Sequence, residues 1–350
     1  MELFECVGVI HVHSRYSDGG GSVKGIIKAA RKAGLDFLIL TDHDTLKPRR
    51  KWQGWHGDLL LIVDEEVSPW IGNHLLALGI KEAIEAKRAL RAQPIIDEVK
   101  RQGGLALLAH PFGGKENFLP VRDRPWLDWE ADGFDGMEIW SYMYDWVERI
   151  NLLNLPYYYL HPEEAIEGPH PEALRKWDEL GKERRVVGIA GLDAHGKRVP
   201  FLPFIQILPY EYLFKTLRNH LLLTEPLDRS SAERSIQLIY EAIGEGRCFV
   251  GYDLLADSSG FSFRCEMEGE EVVMGEEREF KGRATLIVSS PFPARIRLLR
   301  DGEEMCRRVG TELRWEATEP GVYRVELYLG EKPWVFSNPI YLRGRPEASP

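Results

Sequence analysis

Short, mainly aliphatic runs recur through the first two hundred residues, at 7–10, 37–40, 59–63, 75–78, 105–109, 137–140 and 186–190. Runs this short, with little polar alternation, fit strands buried on both faces. Helical patterns lie between some of them. Ser22 can cap a helix that carries Ile26, Ile27 and Ala30 on one side and stops at Gly34, and a second helical stretch, 95–101, stops at Gly103-Gly104. Strands alternating with helices predict an α/β fold with a parallel sheet, and about seven such units favour closure into a barrel. Residues 235–246 read as a helix covering that barrel, with Ile236, Ile239, Tyr240 and Ile243 on one stripe.

The pattern changes near residue 256. Asp257-Ser258-Ser259-Gly260 reads as a connection, and beyond it the period becomes two. Tyr323, Val325, Leu327 and Leu329 face one way, with Arg324 and Glu326 facing the other. Asp301-Gly302 and Pro320-Gly321 mark turns. Five or six short strands are expected here, as a small antiparallel β-sandwich-like accessory domain over 256–350 behind a barrel domain over 1–255. Packing against the barrel or an oligomer contact is the simplest role for it, with ligand binding as the alternative.

Polar residues at the ends of the runs carry the chemistry. His11 and His13, Asp42-His43-Asp44, Glu65-Glu66, His110, and Asp193 with His195 each follow a run, and His74 precedes one. Six of the ten histidines occupy such edges, where loops of a parallel α/β scaffold converge on one face. Strand alternation sends His11 and His13 to the same side, and likewise Asp193 and His195. Either pair alone is weak evidence. Together they call for cations, which make so many convergent carboxylates and imidazoles acceptable in one place.

Composition narrows the classes. The net charge is −10, from 45 Lys and Arg against 55 Asp and Glu, so duplex nucleic acid is not an expected partner. Cys6, Cys248, Cys265 and Cys306 are scattered without paired spacing and read as reduced small hydrophobes. The N-terminal stretch lacks the pattern of a signal peptide, and no apolar run approaches the ~20 residues of a membrane span. A cytoplasmic protein without membrane association is the expectation; oligomeric state is not legible.

The stretch His11-Val12-His13-Ser14-Arg15-Tyr16-Ser17-Asp18-Gly19 resembles the opening motif of the PHP family, the polymerase and histidinol phosphatase domains. Thr41-Asp42-His43, Glu66-Val67-Ser68, His74-Leu75-Leu76, Ala109-His110-Pro111 and Gly191-Leu192-Asp193-Ala194-His195 look like its later motifs, in order. The resemblance spans roughly 5–250 and implies a distorted seven-stranded barrel of PHP type, TIM-like in its architecture, holding two or three divalent ions. Carried over by position, His11, His13, Glu66 and Asp193 would hold one ion. Asp18, His43 and His195 would hold a second, and His74 and His110, with Glu66 bridging, a third. Leu192 departs from the small polar residue common in the family but touches no metal role. The Glu-Val-Ser match selects Glu66 over Glu65, which alternation sends to the opposite face. Glu138 could orient a ligand or form a structural ion pair.

A nitrogen and oxygen ligand set suits zinc, manganese or iron. The reaction expected is phosphate ester hydrolysis by a metal-bridging hydroxide held by Glu66 and Asp193, with phosphomonoesters favoured as small phosphorylated substrates. Arg15, Lys197 and Arg198 are candidate phosphate-binding cations, with Lys115 a weaker one; solvated loop charges are the alternative for each. A phosphodiesterase or exonuclease on short oligonucleotides would use the same ions. An amidohydrolase would share His-x-His but not Ser17-Asp18-Gly19, and a non-catalytic scaffold with a C-terminal binding module is the reading from another class.

Overall fold

The structure is a computed structural model that describes residues 2–113, 124–199 and 202–344. It is a mixed α/β fold with a core of parallel strands. Seven strands take up the apolar runs: β1 (Phe4–Val12), β2 (Phe37–His43), β3 (Leu59–Val67), β4 (Leu75–Leu78), β5 (Leu105–Leu108), β6 (Gly136–Ser141) and β7 (Val187–Gly191). β1, β2 and β3 pair in parallel, as do β5, β6 and β7. β4 is the exception, antiparallel to both β3 and β5. A parallel bridge between Val12 and Ala194 brings the end of β7 back beside β1.

Burial on two faces explains the unbroken apolar runs. Phe37, Ile39, Leu60, Ile62, Leu107 and Ile189 pack in one cluster, while Leu38, Leu40, Leu61 and Val63 pack with the helices in another. Helix α1 (Val23–Lys32) starts where expected, with the Ser22 side chain accepting from Gly25 N, and Gly34 beyond its end has a φ of 72°. Helix α2 (Gln93–Arg101) buries Ile95, Ile96 and Val99. Two further helices, α3 (Tyr142–Arg149) and α4 (Pro171–Glu183), precede β7, and α5 (Ala232–Gly244) follows it. The stripe on α5 differs from the expected one: Leu238, Ile239, Ala242 and Ile243 are buried, whereas Ile236 and Tyr240 are half-buried at its edge. Among the described residues no helix is long and apolar enough to cross a membrane.

Two strands continue the sheet beyond β1. β8 (Leu217–Leu223) is antiparallel to β1, and β9 (Cys248–Tyr252) is antiparallel to β8. The C-terminal part adds β10 (Ser262–Met267), β11 (Ala284–Arg300), β12 (Glu303–Ala317), β13 (Gly321–Leu329) and β14 (Lys332–Ser337). β11 and β12 span 17 and 15 residues, so these strands are not all short, and three shorter ones accompany them. Asp301 and Gly302 make the turn between them with φ of 55° and 88°, the left-handed pair that a tight hairpin requires. β14 pairs with β9, which continues the hydrogen-bonded sheet from one part of the chain to the other.

Alternation along β13 places Arg324 and Glu326 opposite Tyr323 and Val325 as expected, but that face is covered rather than solvated. Helix α4 lies over it, and Arg324 donates from Nε and Nη2 to the Asp178 carboxylate at 2.6 and 2.7 Å and from Nη1 to Glu326 at 2.6 Å. Buried guanidinium between two carboxylates is the partner that the periodicity could not name.

The segment after β9 is docked too. Ser258 is fully buried, its Oγ donating to Asp253 Oδ1 at 2.6 Å and lying 3.0 Å from His220 Nε2, while His220 Nδ1 is 2.7 Å from Glu5. Burial works against charging His220, but Asp253 and Glu5 outweigh it and raise its pKa above the ordinary 6.5. Folding therefore takes up a proton at His220, a contribution complete below pH 6.5 and lost as pH rises through the raised value. Wild-type stability is expected to fall over that window relative to His220→Gln. Parallel urea titrations from pH 5 upward check this, and equal slopes for the two proteins would contradict it.

Candidate metal centre

All nine residues expected as ligands meet at one end of the strand assembly, in three groups. His11, His13, Glu66 and Asp193 form one, His13, Asp18, His43 and His195 a second, and Glu66, His74 and His110 a third, with potential ligand atoms in each within 4.8 Å of one another. The groups coincide with the expected sets, except that His13 also borders the second.

Local backbone explains the convergence. Leu60 and Ile62 point to the inner cluster, so Glu66 continues that face of β3 and Glu65 the other. Glu65 accepts from Ile84 N at 2.6 Å, and burial raises its carboxyl to about 8. Simple alternation would turn His11 away, because Cys6 and Ile10 already face inward. A register shift between Val9 and Val12 and a φ of 68° at His11 restore it. Asp193 and His110 are also left-handed, with φ of 48° and 30°. Three candidate ligands in a conformation that costs non-glycine residues of order 1–3 kcal/mol mark a place where position outweighs local comfort. His74 precedes its strand rather than following it, and the antiparallel direction of β4 brings that end to the same face.

Hydrogen bonds orient the rings. His11 Nδ1 donates to Glu138 Oε1 at 2.6 Å, which leaves its Nε2 lone pair for the centre. Glu138 Oε2 accepts from His110 N at 2.7 Å, so one carboxylate positions two ligands. Ser68 Oγ donates to Glu66 O, so His43 Nδ1 must be the donor in its 2.6 Å contact with Ser68, and His43 Nε2 faces Asp18 at 3.5 Å. His195 repeats the arrangement, with Nδ1 on the Asp193 carbonyl at 2.9 Å and Nε2 3.1 Å from Asp18. Asp42, which the sequence pattern marks only as acidic, accepts from the backbone N and Oγ of both Ser14 and Ser17 and so shapes the loop that carries Asp18.

The residues present fit cations. His11 Nε2, both ring nitrogens of His13, and Glu66 Oε2 are buried without a hydrogen-bond partner. Glu66 Oε2 lies 3.2 and 3.3 Å from His11 and His13 Nε2, whereas Oε1 faces His74 at 2.7 Å and His110 at 3.2 Å. Burial opposes ionisation of Glu66, but His43, His11 and His74 hold it well below the usual carboxylate range. His13, pushed down to about 3 by burial and by His195 and His43, stays neutral with its lone pair available.

A cavity of about 340 Å³ opens over the centre. Of the expected cations, Lys197 lines it, its Nζ 2.7 Å from Asp18 Oδ2. Arg15 is exposed and braces its own loop through Gly20 O, and Arg198 is exposed on a short strand outside the cavity lining. Lys115 lies outside the described residues. Arg124 lines the cavity and carried no sequence signal, since it stands in an irregular segment far from any motif.

Glu138→Gln should weaken metal binding about 10- to 100-fold, the usual range when a ligand's supporting carboxylate is lost. Gly191→Ala should act in the same direction, because a Cβ there would fall on the Glu138 carboxylate. Competition with a chelating dye measures both, and unchanged affinity for Glu138→Gln would remove it from this role.

The PHP domain family model matches residues 10–97. An uncharacterized protein of Methanocaldococcus jannaschii is 26% identical over 117 residues, a match that covers 29% of this chain and spans 66% of that relative's length. A two-domain protein of Bacteroides vulgatus, described as containing a predicted PHP-like metal-dependent phosphoesterase, is 15% identical with a TM-score of 0.43, covering 96% of this chain and 95% of its own. A proposed metal-dependent phosphoesterase of Bifidobacterium adolescentis is 18% identical with a TM-score of 0.34, covering 57% of this chain and 92% of its own. His11, His13, Asp18, His43, Glu66 and His74 all fall inside residues 10–97, the part of this chain that the PHP domain family model matches.

Proposed function

We propose that this chain is a metal-dependent phosphoesterase acting on small phosphate esters, with phosphomonoesters favoured. The supporting observation is Glu66, whose two oxygens face two different groups of imidazoles beside buried nitrogens that lack partners. In this reading His11, His13, Glu66 and Asp193 hold one divalent ion, Asp18, His43 and His195 a second, and Glu66, His74 and His110 a third, as zinc, manganese or iron. Such ions, when bound, polarise phosphoryl oxygens and lower the pKa of coordinated water toward ~7.

The protein's own part is positional. Glu138, Ser68 and the Asp193 carbonyl fix which nitrogen each ring presents, and Asp42 holds the loop bearing Asp18. Lys197 and Arg124 border the cavity where the phosphate oxygens would lie, and a 340 Å³ space suits a small ester better than a polynucleotide. Arg15 and Arg198 keep a place only as outer contacts to an approaching anion. We take the ring of pairings from β1 to β7 as one seven-stranded barrel, residues 1–255 as its domain, and 256–350 as a sandwich-like accessory domain.

Elemental analysis of protein purified without chelator, paired with phosphate release from a phosphomonoester and a phosphodiester, tests the proposal. Two or three transition-metal ions per chain and faster release from the monoester are expected. A metal-free protein inert toward both esters after reconstitution would refute it, and a preference for the diester would transfer the reading to phosphodiesterase.

A further inference from the structure

Among the described residues, the side chains that line the cavity outside the ligand set are mainly apolar. Met143, Trp146 and Val147 of α3 and Ile207, Leu208 and Leu213 from the segment before β8 are these apolar residues. Outside the ligand set, the polar side chains among the described lining residues are Arg124, Lys197 and Tyr144. Tyr144 presents its ring to His110, centroid to centroid 4.5 Å. The carbohydrate part of a sugar phosphate would leave several hydroxyls against this wall without partners, a poor exchange for water.

Leu208 adds a second, independent observation. Its φ is 43°, a backbone region where a leucine is disfavoured and an asparagine or glycine is at ease. The conformation is held on one side by Ile207 N, which donates to Lys197 O at 2.8 Å, and Pro209 follows on the other. A strained residue kept apolar beside a cavity points to a role for its side chain there.

We infer that the site prefers phosphate esters whose alcohol part is apolar or aromatic, and that Leu208 is a specificity-determining residue for that part. The inference rests on the phosphoesterase reading and goes beyond it by naming the substrate class. The phosphate sits toward the ligands, Arg124 and Lys197, and the organic group lies on Val147 and Leu208.

Phosphonates separate recognition from turnover, since their P–C bond is not hydrolysed. Calorimetric titration of the full-length manganese-loaded protein with phenylphosphonate and methylphosphonate should show the phenyl compound binding at least about tenfold more tightly, as expected for a filled apolar pocket. Leu208→Asn suits the same left-handed backbone and places an amide on the wall, so the phenyl-to-methyl ratio should collapse toward one. Val147→Thr keeps the shape, adds a hydroxyl, and should reduce the ratio in the same direction. Equal affinities in the wild type, or an undiminished ratio in both variants, would overturn the inference while leaving the phosphoesterase reading intact. If neither phosphonate binds the metal-loaded protein and no ester releases phosphate, both fall together.

Discussion

Glu66→Gln is expected to lower phosphate release by more than about 10²-fold and to reduce the number of ions held per chain. Loss of a supporting carboxylate costs up to that factor, and in the proposed reading Glu66 is itself a ligand in two groups. Its Oε2 faces His11, His13 and His43, and its Oε1 faces His74 and His110. Glutamine preserves the shape but replaces one acceptor with a donor, so at least one group of imidazoles loses its anion. Asp193, by contrast, belongs to a single group, so Asn at that position should remove activity with a smaller drop in metal content. Elemental analysis and release assays on both variants, with circular dichroism to confirm folding, check the contrast. Wild-type metal content in Glu66→Gln would break the bridging assignment.

The second large effect concerns the join between α4 and the C-terminal strands. Arg324→Ala leaves Asp178 buried without its cation and Glu326 with Arg297 alone, and stability is expected to drop by about 3–5 kcal/mol. All three groups are nearly inaccessible, so water cannot take over the lost hydrogen bonds. Replacing the three together by apolar residues of similar volume should come much closer to neutral, because the cost lies in the uncompensated charges. Denaturant midpoints of the single and triple variants measure this. A loss under about 1 kcal/mol for Arg324→Ala would put the cluster in the class of exposed ion pairs.

That cluster also shows where one-dimensional reading ends. Period two along β13 correctly separated Tyr323 and Val325 from Arg324 and Glu326, since side chains on a strand alternate whatever covers them. Whether the polar face meets water depends on α4, more than a hundred residues away. The same holds for Glu138, whose two roles depend on His11 and His110 coming from other strands. The reversal of β4 had a readable signal. Only seven residues separate Val67 from Leu75, too few for the crossover of a dozen or more that a parallel neighbour needs.

From the sequence alone came the strand runs and the polar residues at their ends, because burial on two faces and chelating residue types leave a mark at each position; the choice of Glu66 over Glu65 and the nine candidate ligand positions came from the motifs that resemble the PHP family. Tertiary structure alone decided that His13 also borders the second group, how a left-handed turn at His11 aims its ring inward, which cations reach the cavity, and that Leu208 stands on its wall. Such facts reside in distances between remote segments and in backbone angles, and a pattern along one chain records neither.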